Sequence, residues 1–418
     1  MLKFLKPWAR VSSISMDPKN LDWKVSEETV YSTMISHDKE GRSPKKIWED
    51  KRKKLSAGEL EKTEKDFLDK LASWGHISAF YQANVGINYG GIPRYTTLFL
   101  CSFDFSKYLQ QSQRYTEAKY FVEPREELRE LIPKQYSFYK DMIKDGVKKE
   151  DARYALPLSI AASHLHQNTN FAGMANIYRV LDSEYSRIPK LTKRVIDDAF
   201  RDLEREDHVL FRKELIDKLN SKGKGYPVAN MFSASNKWVN ELEVEGVEKF
   251  ERKIDEELLE EAKKFNDHAL TFLNLTNRRD VVDGYIAEMS LSAWHQFMRN
   301  DTVKQSVESI YDAARRGECV VPKTVVGTKY EEEFVELHNE ALDFYNKVKG
   351  KFGEEECVGV LPHSLTIKVA FDFDGYNALH GFMKDRISKA AQWEIRDVAY
   401  KVKELIKREN PLYAEFIS

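Results

Sequence analysis

The chain ends in a segment whose hydrophobic residues repeat at helical spacing. Six apolar residues fall on one face of a helix, namely Ile395, Val398, Ala399, Val402, Leu405 and Ile406. This spacing predicts an amphipathic helix over residues 391–407. A second, shorter helix is predicted over 375–385. Arg386 lies at the junction of the two, where its guanidinium can reach away from the core.

Alternating and extended patterns predict the strands. Between residues 365 and 373 apolar and polar positions alternate, which is typical of a strand with one buried face. Further strands are predicted over 80–88, 159–168 and 285–290, the first of them closed by a turn at Gly90-Gly91.

Helical patterns occupy the stretches between these strands. Ser56 and Glu59 have the spacing of a capping box, and a helix is predicted to follow them. Other helices are predicted over 133–154, 172–181, 247–273 and 330–351. The mixture predicts an α+β fold, in which helices pack on mainly antiparallel sheets.

Two Leu-Pro segments with similar flanks suggest an internal repeat. Residues 138–140 precede 155–159 in the first half, and 344–347 precede 360–364 in the second. Each Leu-Pro is followed by a predicted strand and then a helix. Two copies favour a duplicated domain over a solenoid, which needs more and shorter repeats. With 418 residues, the chain has room for two domains, expected at 1–225 and 226–418.

Composition narrows the classes of partner. The net charge of −2 gives no field that would attract nucleic acid, and no stretch reaches the length of a membrane span. The first residues contain no continuous apolar run, so no signal peptide is expected. Cys101, Cys319 and Cys357 are far apart and form no CxxC pair, which indicates a reducing, cytoplasmic setting.

Two histidines raise the question of a metal site. His164 and His166 fall on one face of a predicted strand. Two histidines can begin a metal site, but no third ligand follows at a useful spacing. We therefore expect a polar strand face and no metal.

Four short motifs, taken in order, resemble the flavin-dependent thymidylate synthase family (ThyX). Residues 75–78 are similar to its early Gly-His-x-Ser segment, and 111–115 to the Ser-x-Arg-Tyr that ends its signature. Residues 151–157 resemble its Ala-Arg-x-x-Leu-Pro motif. Arg386 with 391–395 is similar to its closing arginine and Ala-Gln-Trp-Glu segment. The resemblance covers most of both halves and implies two related ThyX-like domains.

The sequence also departs from that pattern. The family signature begins Arg-His-Arg, but the first half has Ser102, Phe103 and Asp104 at these positions. The second half keeps Arg299, followed by Asn300 and Asp301. It has no Ser-x-Arg-Tyr, and Val358 stands where the first half has Arg153. The first half has no clear partner for Arg386.

These losses are complementary. In the family, the nucleotide site lies between subunits and takes residues from both sides. The resemblance therefore implies composite sites between the two halves, where deoxyuridine monophosphate (dUMP), or another pyrimidine nucleotide in a close variant, would be methylated. The nucleotide-binding residues implied are Ser112, Arg114 and Arg153 from the first half and Gln296, Arg299 and Arg386 from the second. Arginine forks suit phosphate, although a single arginine is more often a surface ion pair.

The resemblance also implies cofactors and an assembly. Reduced FAD would supply hydride, methylene tetrahydrofolate the carbon, and NADPH would reduce the flavin. The flavin contacts implied are His76, Ser78, Asn170 and Asn176, although both asparagines could simply cap a helix. A homodimer would rebuild the tetrameric arrangement of the family. The alternative is a non-catalytic nucleotide-binding or structural relative without flavin, which the eroded signature favours.

Overall fold

Two four-stranded antiparallel sheets form the framework of the computed structural model. The structure describes residues 2–15, 23–34, 43–103, 106–183, 186–221, 228–233, 239, 244, 246–250, 281–298, 303–374 and 382–409. Within these residues helices and antiparallel sheets are mixed, as the α+β prediction requires.

The first sheet has the strand order β2-β3-β6-β4. Its strands are β2 (Trp8–Ile14), β3 (Asn84–Pro93), β4 (Lys107–Gln110) and β6 (Ala161–Asn170). Each neighbouring pair is antiparallel. Two short strands, β1 (Lys3–Phe4) and β5 (Tyr120–Phe121), pair in parallel beside this sheet.

The second sheet has the order β7-β8-β10-β9 and is also fully antiparallel. Its strands are β7 (Val247–Phe250), β8 (Val281–Ser290), β9 (Lys304–Val307) and β10 (Thr366–Asp374). In each sheet the long second strand leads directly into a helix, and a four-residue strand follows that helix.

Helices pack around both sheets. Those of the first half are α1 (Val25–Met34), α2 (Pro44–Lys54), α3 (Ala57–Ser73), α4 (Arg94–Cys101), α5 (Ile132–Lys144), α6 (Lys149–Ala152), α7 (Phe171–Leu181), α8 (Lys190–Glu206) and α9 (Lys213–Asn220). Those of the second are α10 (Leu291–Phe297), α11 (Ile310–Arg316), α12 (Glu331–Phe352), α13 (Glu354–Cys357), α14 (Lys384–Ile387) and α15 (Trp393–Glu409). Short 3₁₀ turns lie at Ile77–Tyr81, Glu126–Arg129, Arg153–Ala155 and Val358–Val360.

The capping box and the C-terminal helix are confirmed. Ser56 accepts a hydrogen bond from the backbone N–H of Glu59, whose side chain bonds back to the backbone of Ser56. Helix α15 begins two residues later than predicted and runs to Glu409. Of the shorter helix predicted over 375–385, only the last residues are described, and α14 begins at Lys384.

The predicted turn at Gly90-Gly91 is wrong, because both glycines lie inside β3. Gly90 pairs with Trp8, whose indole occupies the space that a Cβ would need. Gly91 has a φ of +58°, in the left-handed region that favours glycine. The glycines therefore let a neighbouring strand and a large ring approach closely.

Two predicted helices also differ in extent or type. The helix predicted over 133–154 is broken after Lys144, because Gly146 has a φ of +91°. Val247–Phe250 is a strand rather than the start of a helix, since its backbone pairs with β8. The rest of that predicted helix lies outside the described residues.

Strand β10 is buried on both faces, not on one. It is a central strand, and α10 and α11 contact it. Even its polar positions are shielded, with Lys368 8% and Asp372 2% exposed. The alternation of its sequence therefore marks two faces of different polarity, both covered by protein.

None of the helices in the described part of the chain combines the length and apolar character that a membrane span requires. Within the same residues, no group of three or more potential ligands is arranged to hold a metal. His166 contacts Asn88, with 2.8 Å between Nδ1 and Oδ1.

Candidate functional site

The two Leu-Pro segments pair with each other and join the halves of the chain. Pro157 and Pro362 form an antiparallel bridge. The backbone N–H of Leu158 donates to the carbonyl of Leu361 at 2.8 Å, and that of His363 donates to Leu156 at 3.1 Å. We call this pairing of residues 154–159 with 359–364 the seam. Arg153 and Val358 occupy matching places, each four residues before its proline.

The closing motif of the second half bonds to the first half beside the seam. Tyr154 donates its hydroxyl to Glu394 at 2.7 Å and accepts from Nε2 of Gln392 at 2.6 Å. Trp393 donates Nε1–H to Asp151 at 2.9 Å. The Ala-Arg-x-x-Leu-Pro and Ala-Gln-Trp-Glu segments are therefore joined directly.

Glu394 accepts hydrogen bonds from residues of both halves at this contact. Its carboxylate also accepts from the Ser290 hydroxyl at 2.6 Å and from the Ser290 backbone N–H at 2.7 Å. Burial raises the pKa of the Glu394 carboxyl, while its hydrogen bonds with Ser290 and Tyr154 oppose that rise. Because its oxygens are fully engaged, Glu394 holds the two halves together rather than facing a ligand.

Arg114 also reaches across the halves. Its Nε bonds to Glu150 at 2.7 Å, and its Nη2 donates to the carbonyl of Ala390 at 3.1 Å. Ser112 accepts from the backbone N–H of Arg114 at 3.2 Å, so the hydroxyl shapes the loop that carries this arginine. Ala390 lies four residues after Arg386.

Arg153 is buried, with only 4% of its surface exposed. Its Nε donates to the backbone carbonyl of Glu150 at 3.1 Å. Its Nη2 has no hydrogen-bond partner among the described residues. Burial lowers the pKa of this guanidinium, but arginine stays charged in proteins. A buried cation with a spare donor is suited to hold an acceptor group.

The second half contributes Arg386 and Gln296. Nη2 of Arg386 donates to the backbone carbonyl of Gln296 at 3.0 Å. Arg386 is half-buried, and Gln296 is 5% exposed. Arg299 lies outside the described residues. The structure thus links Gln296 to Arg386, and Arg114 to the segment that follows Arg386.

Sequence reasoning missed a buried group at the same place. Arg94, at the start of α4, is 2% exposed; it donates to the side-chain oxygen of Gln113, and its Nη1 lies 3.2 Å from Nδ1 of His295. His363, in the seam, is also 2% exposed. The sequence did contain a signal for Arg94, because this arginine is the only charged residue in the run 94–101.

The residues expected to contact flavin lie in or next to two contacting elements of the first half, the 3₁₀ turn Ile77–Tyr81 and α7. His76 and Ser78 are exposed, and the His76 ring meets that of Trp74 at 5.7 Å. Asn170 caps α7 by accepting from the Gly173 N–H at 2.9 Å. Asn176 accepts from Arg179 at 3.1 Å and 3.0 Å. The capping alternative is therefore confirmed for Asn170.

The first-half positions of the Arg-His-Arg signature do not fit a flavin. The Ser102 hydroxyl donates to the carbonyl of Phe99 in its own helix at 2.7 Å. Phe103 is 3% exposed and packs edge-on against Phe99, with 5.1 Å between the ring centroids. Neither side chain offers a charge to a phosphate. Asp104, Asn300 and Asp301 lie outside the described residues.

The cysteines do not provide a nucleophile. Burial raises the pKa of the Cys319 thiol to about 11 and that of Cys357 to about 12. Both remain protonated thiols near neutral pH, and a thiolate is the nucleophilic form. Cys101 is buried in the core.

The fold and the seam together define an α+β protein with an arginine-containing cluster between its two halves. A family model described as thymidylate synthase complementing protein matches residues 23–182 and 281–412. These ranges make up more than half of the chain, which therefore belongs to this family, the ThyX family that the motifs suggested.

Relatives in this family include flavin-dependent thymidylate synthases. The chain is 33% identical to that of Geobacter sulfurreducens over 119 residues, which is 25% of this chain and 50% of the relative. It is 29% identical to that of Pyrococcus furiosus over 122 residues, 26% of this chain and 48% of the relative. The chain thus spans about half the length of the curated relatives it matches.

Among solved structures, the chain resembles the UMP/dUMP methylase PolB from Streptomyces cacaoi, crystallised with 5-Br dUMP. The TM-score is 0.40 at 14% sequence identity. The match covers 52% of this chain and 97% of that chain.

Proposed function

We propose that this chain binds dUMP at one composite site between its halves and methylates it as a ThyX-type enzyme. One observation carries the proposal: Arg114 of the first half donates to the carbonyl of Ala390, four residues after Arg386 in the second half. Arg386 in turn bonds to Gln296. The segments of the two halves that carry residues assigned to the nucleotide by the family motifs are therefore in contact, which supports a shared site.

The chemistry of these side chains suits a nucleotide monophosphate. Guanidinium groups match phosphate and carbonyl oxygens with paired N–H donors, and the serine hydroxyl adds another bond. Arg153 has a buried donor, and Arg114 and Arg386 are partly exposed, so a ligand could reach them. An exposed arginine pair alone contributes only about 0–1 kcal/mol, so the proposal rests on their convergence.

The two halves are proposed to be duplicated domains, 1–225 and 226–418. Both sheets place a long strand, a helix and a four-residue strand in the same order, which supports this proposal. The near-symmetric pairing of the Leu-Pro segments supports it further. A homodimer of the fused chain would then provide four related domains.

The methyl carbon is proposed to come from methylene tetrahydrofolate. Reduced FAD would supply a hydride when bound, with NADPH as its reductant. Because Ser102 and Phe103 do not fit a flavin, we derive no chemical step through that group. The residues of this chain are assigned only to binding and orienting the nucleotide.

Nucleotide binding tests the composite site. We expect Arg114→Ala and Arg386→Ala each to weaken dUMP binding by roughly 10-fold or more, on the order of 1.4 kcal/mol, in isothermal titration. Arg201→Ala is the matched control, because Arg201 is an exposed arginine of α8 paired only with its helix neighbour Asp198 in the described contacts. Unchanged affinity in a folded double variant, Arg114→Ala with Arg386→Ala, would exclude the site.

A second candidate is a nucleotide-binding relative without flavin chemistry. The inward packing of Phe103 favours it, since this residue stands where the family has a histidine. A visible absorption spectrum of the purified protein, with and without added FAD and dUMP, separates the two. A flavin spectrum that changes with dUMP supports the methylase. Nucleotide binding without any retained flavin supports the second candidate.

A further inference from the structure

Three buried polar atoms on the Arg153 side of the seam have no hydrogen-bond partner among the described residues. They are Nη2 of Arg153, Nε2 of Gln113 and Nε2 of His363. The three side chains are 4%, 6% and 2% exposed. Buried polar groups are normally hydrogen-bonded, so three unsatisfied ones on contacting segments require an explanation.

The hydrogen bonds of these side chains determine whether each unpartnered atom is a donor or an acceptor. Arginine only donates, so the Gln113 oxygen faces Arg94 and its Nε2 carries two free N–H groups. A carbonyl only accepts, so the 2.8 Å contact between His363 Nδ1 and the Leu156 oxygen places the proton on Nδ1. His363 Nε2 is then an acceptor. Arg153 Nη2 is a donor.

Hydrogen bonds link the three residues to one part of the seam. The backbone N–H of Arg94 donates to the carbonyl of Leu158 at 2.9 Å, and His363 bonds to the carbonyl of Leu156, three residues after Arg153. Arg94 bonds to Gln113 directly. Burial, together with the nearby charges of Arg94 and Arg153, lowers the pKa of His363 to about 3. His363 therefore stays neutral near pH 7, with its Nε2 lone pair available beside the two donors.

The pattern of two donors and one acceptor selects among ligand groups. A phosphate dianion only accepts hydrogen bonds, so it would leave the His363 lone pair unpaired and would be repelled by it. The imide edge of uracil presents a carbonyl, an N3–H and a second carbonyl. Cytosine presents an unprotonated N3 in the central position, where it would face the His363 lone pair.

We propose that Gln113, Arg153 and His363 bind the imide edge of uracil, with His363 accepting the N3–H. This inference rests on the proposed function, because it assumes a uracil nucleotide at the composite site. It makes His363 and Gln113 specificity-determining residues for uracil over cytosine. Sites that lose a partner for a buried polar group discriminate strongly between analogues.

Titration calorimetry with three ligands tests the assignment: dUMP, dCMP and 2-deoxyribose 5-phosphate. We expect His363→Leu to weaken dUMP binding by roughly 10-fold or more, and to leave the other two ligands within about 2-fold. His363→Asn, whose side-chain oxygen can accept, should restore part of the dUMP affinity. His338→Leu is the matched control, since His338 is equally buried but bonds to Ser364 and Gly317.

A second measurement does not require a substitution. In ¹⁵N spectra of the wild-type protein with labelled histidine, dUMP should shift the His363 Nε2 resonance, and 2-deoxyribose 5-phosphate should not. The Nε2 resonance of His363 is assigned by its loss in His363→Asn. No shift with dUMP would mean that only a buried water meets these atoms, and would overturn the proposal.

The remaining outcomes distinguish failure of this inference from failure of the proposed function, which is dUMP binding at the composite site. An equal loss for all three ligands in His363→Leu would place the ribose or phosphate there and overturn the imide assignment alone. Unchanged dUMP affinity in that variant would also overturn it and leave the composite site standing. Failure of the wild-type protein to bind dUMP would overturn both.

Discussion

The two sides of the seam have the same backbone but opposite chemistry. On one side lies Arg153, a buried cation with an unpartnered donor. On the other lies Val358, fully buried at the matching position. Beside it, the side chain of Glu123 approaches Gly359 so closely that a Cβ there would be 3.0 Å from Oε2.

The Val358 side therefore has the buried carboxyl of Glu123, whereas the Arg153 side has a buried guanidinium cation. Burial raises the pKa of the Glu123 carboxyl to about 7, and the neighbouring Glu356 contributes to that rise. The ionised carboxylate of Glu123 only accepts hydrogen bonds, so it cannot bond to a phosphate or a uracil carbonyl. The difference supports the proposal that only the Arg153 side of the seam receives a nucleotide.

Removing Arg153 should produce the largest effect, because it makes the two sides alike. We expect Arg153→Met to weaken dUMP binding roughly 10- to 100-fold, as loss of a charged hydrogen-bond donor implies. The free energy of unfolding should stay the same or rise, since a buried charge is replaced by a packed apolar chain. Titration and thermal unfolding of the same preparation test both.

Arg201→Met, on the exposed face of α8, controls for the loss of an arginine. Equal dUMP affinity in Arg153→Met and wild type would mean that the two sides do not differ in binding.

The reverse exchange at Val358 should have an intermediate effect. Val358→Arg inserts a longer, charged chain into a fully buried position, and overpacking of this kind costs about 1–3 kcal/mol of unfolding free energy. We expect no second nucleotide per chain, because Glu123 supplies an acceptor to any arginine placed there. Denaturant unfolding measures the cost, and titration stoichiometry counts the sites.

Val335→Arg is the control for this exchange, since Val335 is 36% exposed on α12 and should tolerate the substitution. A second dUMP bound per chain of Val358→Arg would show that a single residue separates the two sides.

The smallest expected effect is the contribution of Glu123 to the pH dependence of the free energy of unfolding. Its folded pKa, about 7, lies above the ordinary glutamate value of 4.5, so folding favours its protonated form. That stabilisation is complete below about pH 4.5 and is lost as the pH rises through about 7. Glu123→Gln should therefore flatten the fall in unfolding free energy over this window.

Glu64 and Glu288 also have pKa values raised to about 7, chiefly by burial, so some slope should remain in Glu123→Gln. Glu127→Gln, an exposed glutamate nearby, should leave the slope as in wild type. An identical slope in Glu123→Gln and wild type would show that Glu123 is ionised in the folded protein.

Local patterns predicted the features that depend on local contacts. The Ser56–Glu59 capping box and helix α15 follow from spacing alone, because their stabilising contacts lie within a few residues. The resemblance to the family further implied that Arg114 and Arg386 share one site. The described contacts join Arg114 to Ala390, four residues after Arg386, and Arg386 to Gln296.

Features that depend on distant neighbours were not predictable from the sequence. The sequence predicts a turn at Gly90, because nothing in the local pattern shows that Trp8 packs over this glycine in a strand. The alternation in β10 indicates one exposed face until helices cover both. Arg94 and His363 could not be assigned because their partners come from other segments, and no local pattern reports what lies across the seam.

The seam lies within a single chain, and this has a consequence for what substitutions can do. In a dimer of identical subunits related by a two-fold axis, each substitution occurs in both subunits and so changes both sides of the interface. Here the residues facing one another are encoded separately, so Arg153 and Val358 can be tuned one at a time. The chain can therefore give its two sides different tasks, which a symmetric dimer of the same fold cannot do.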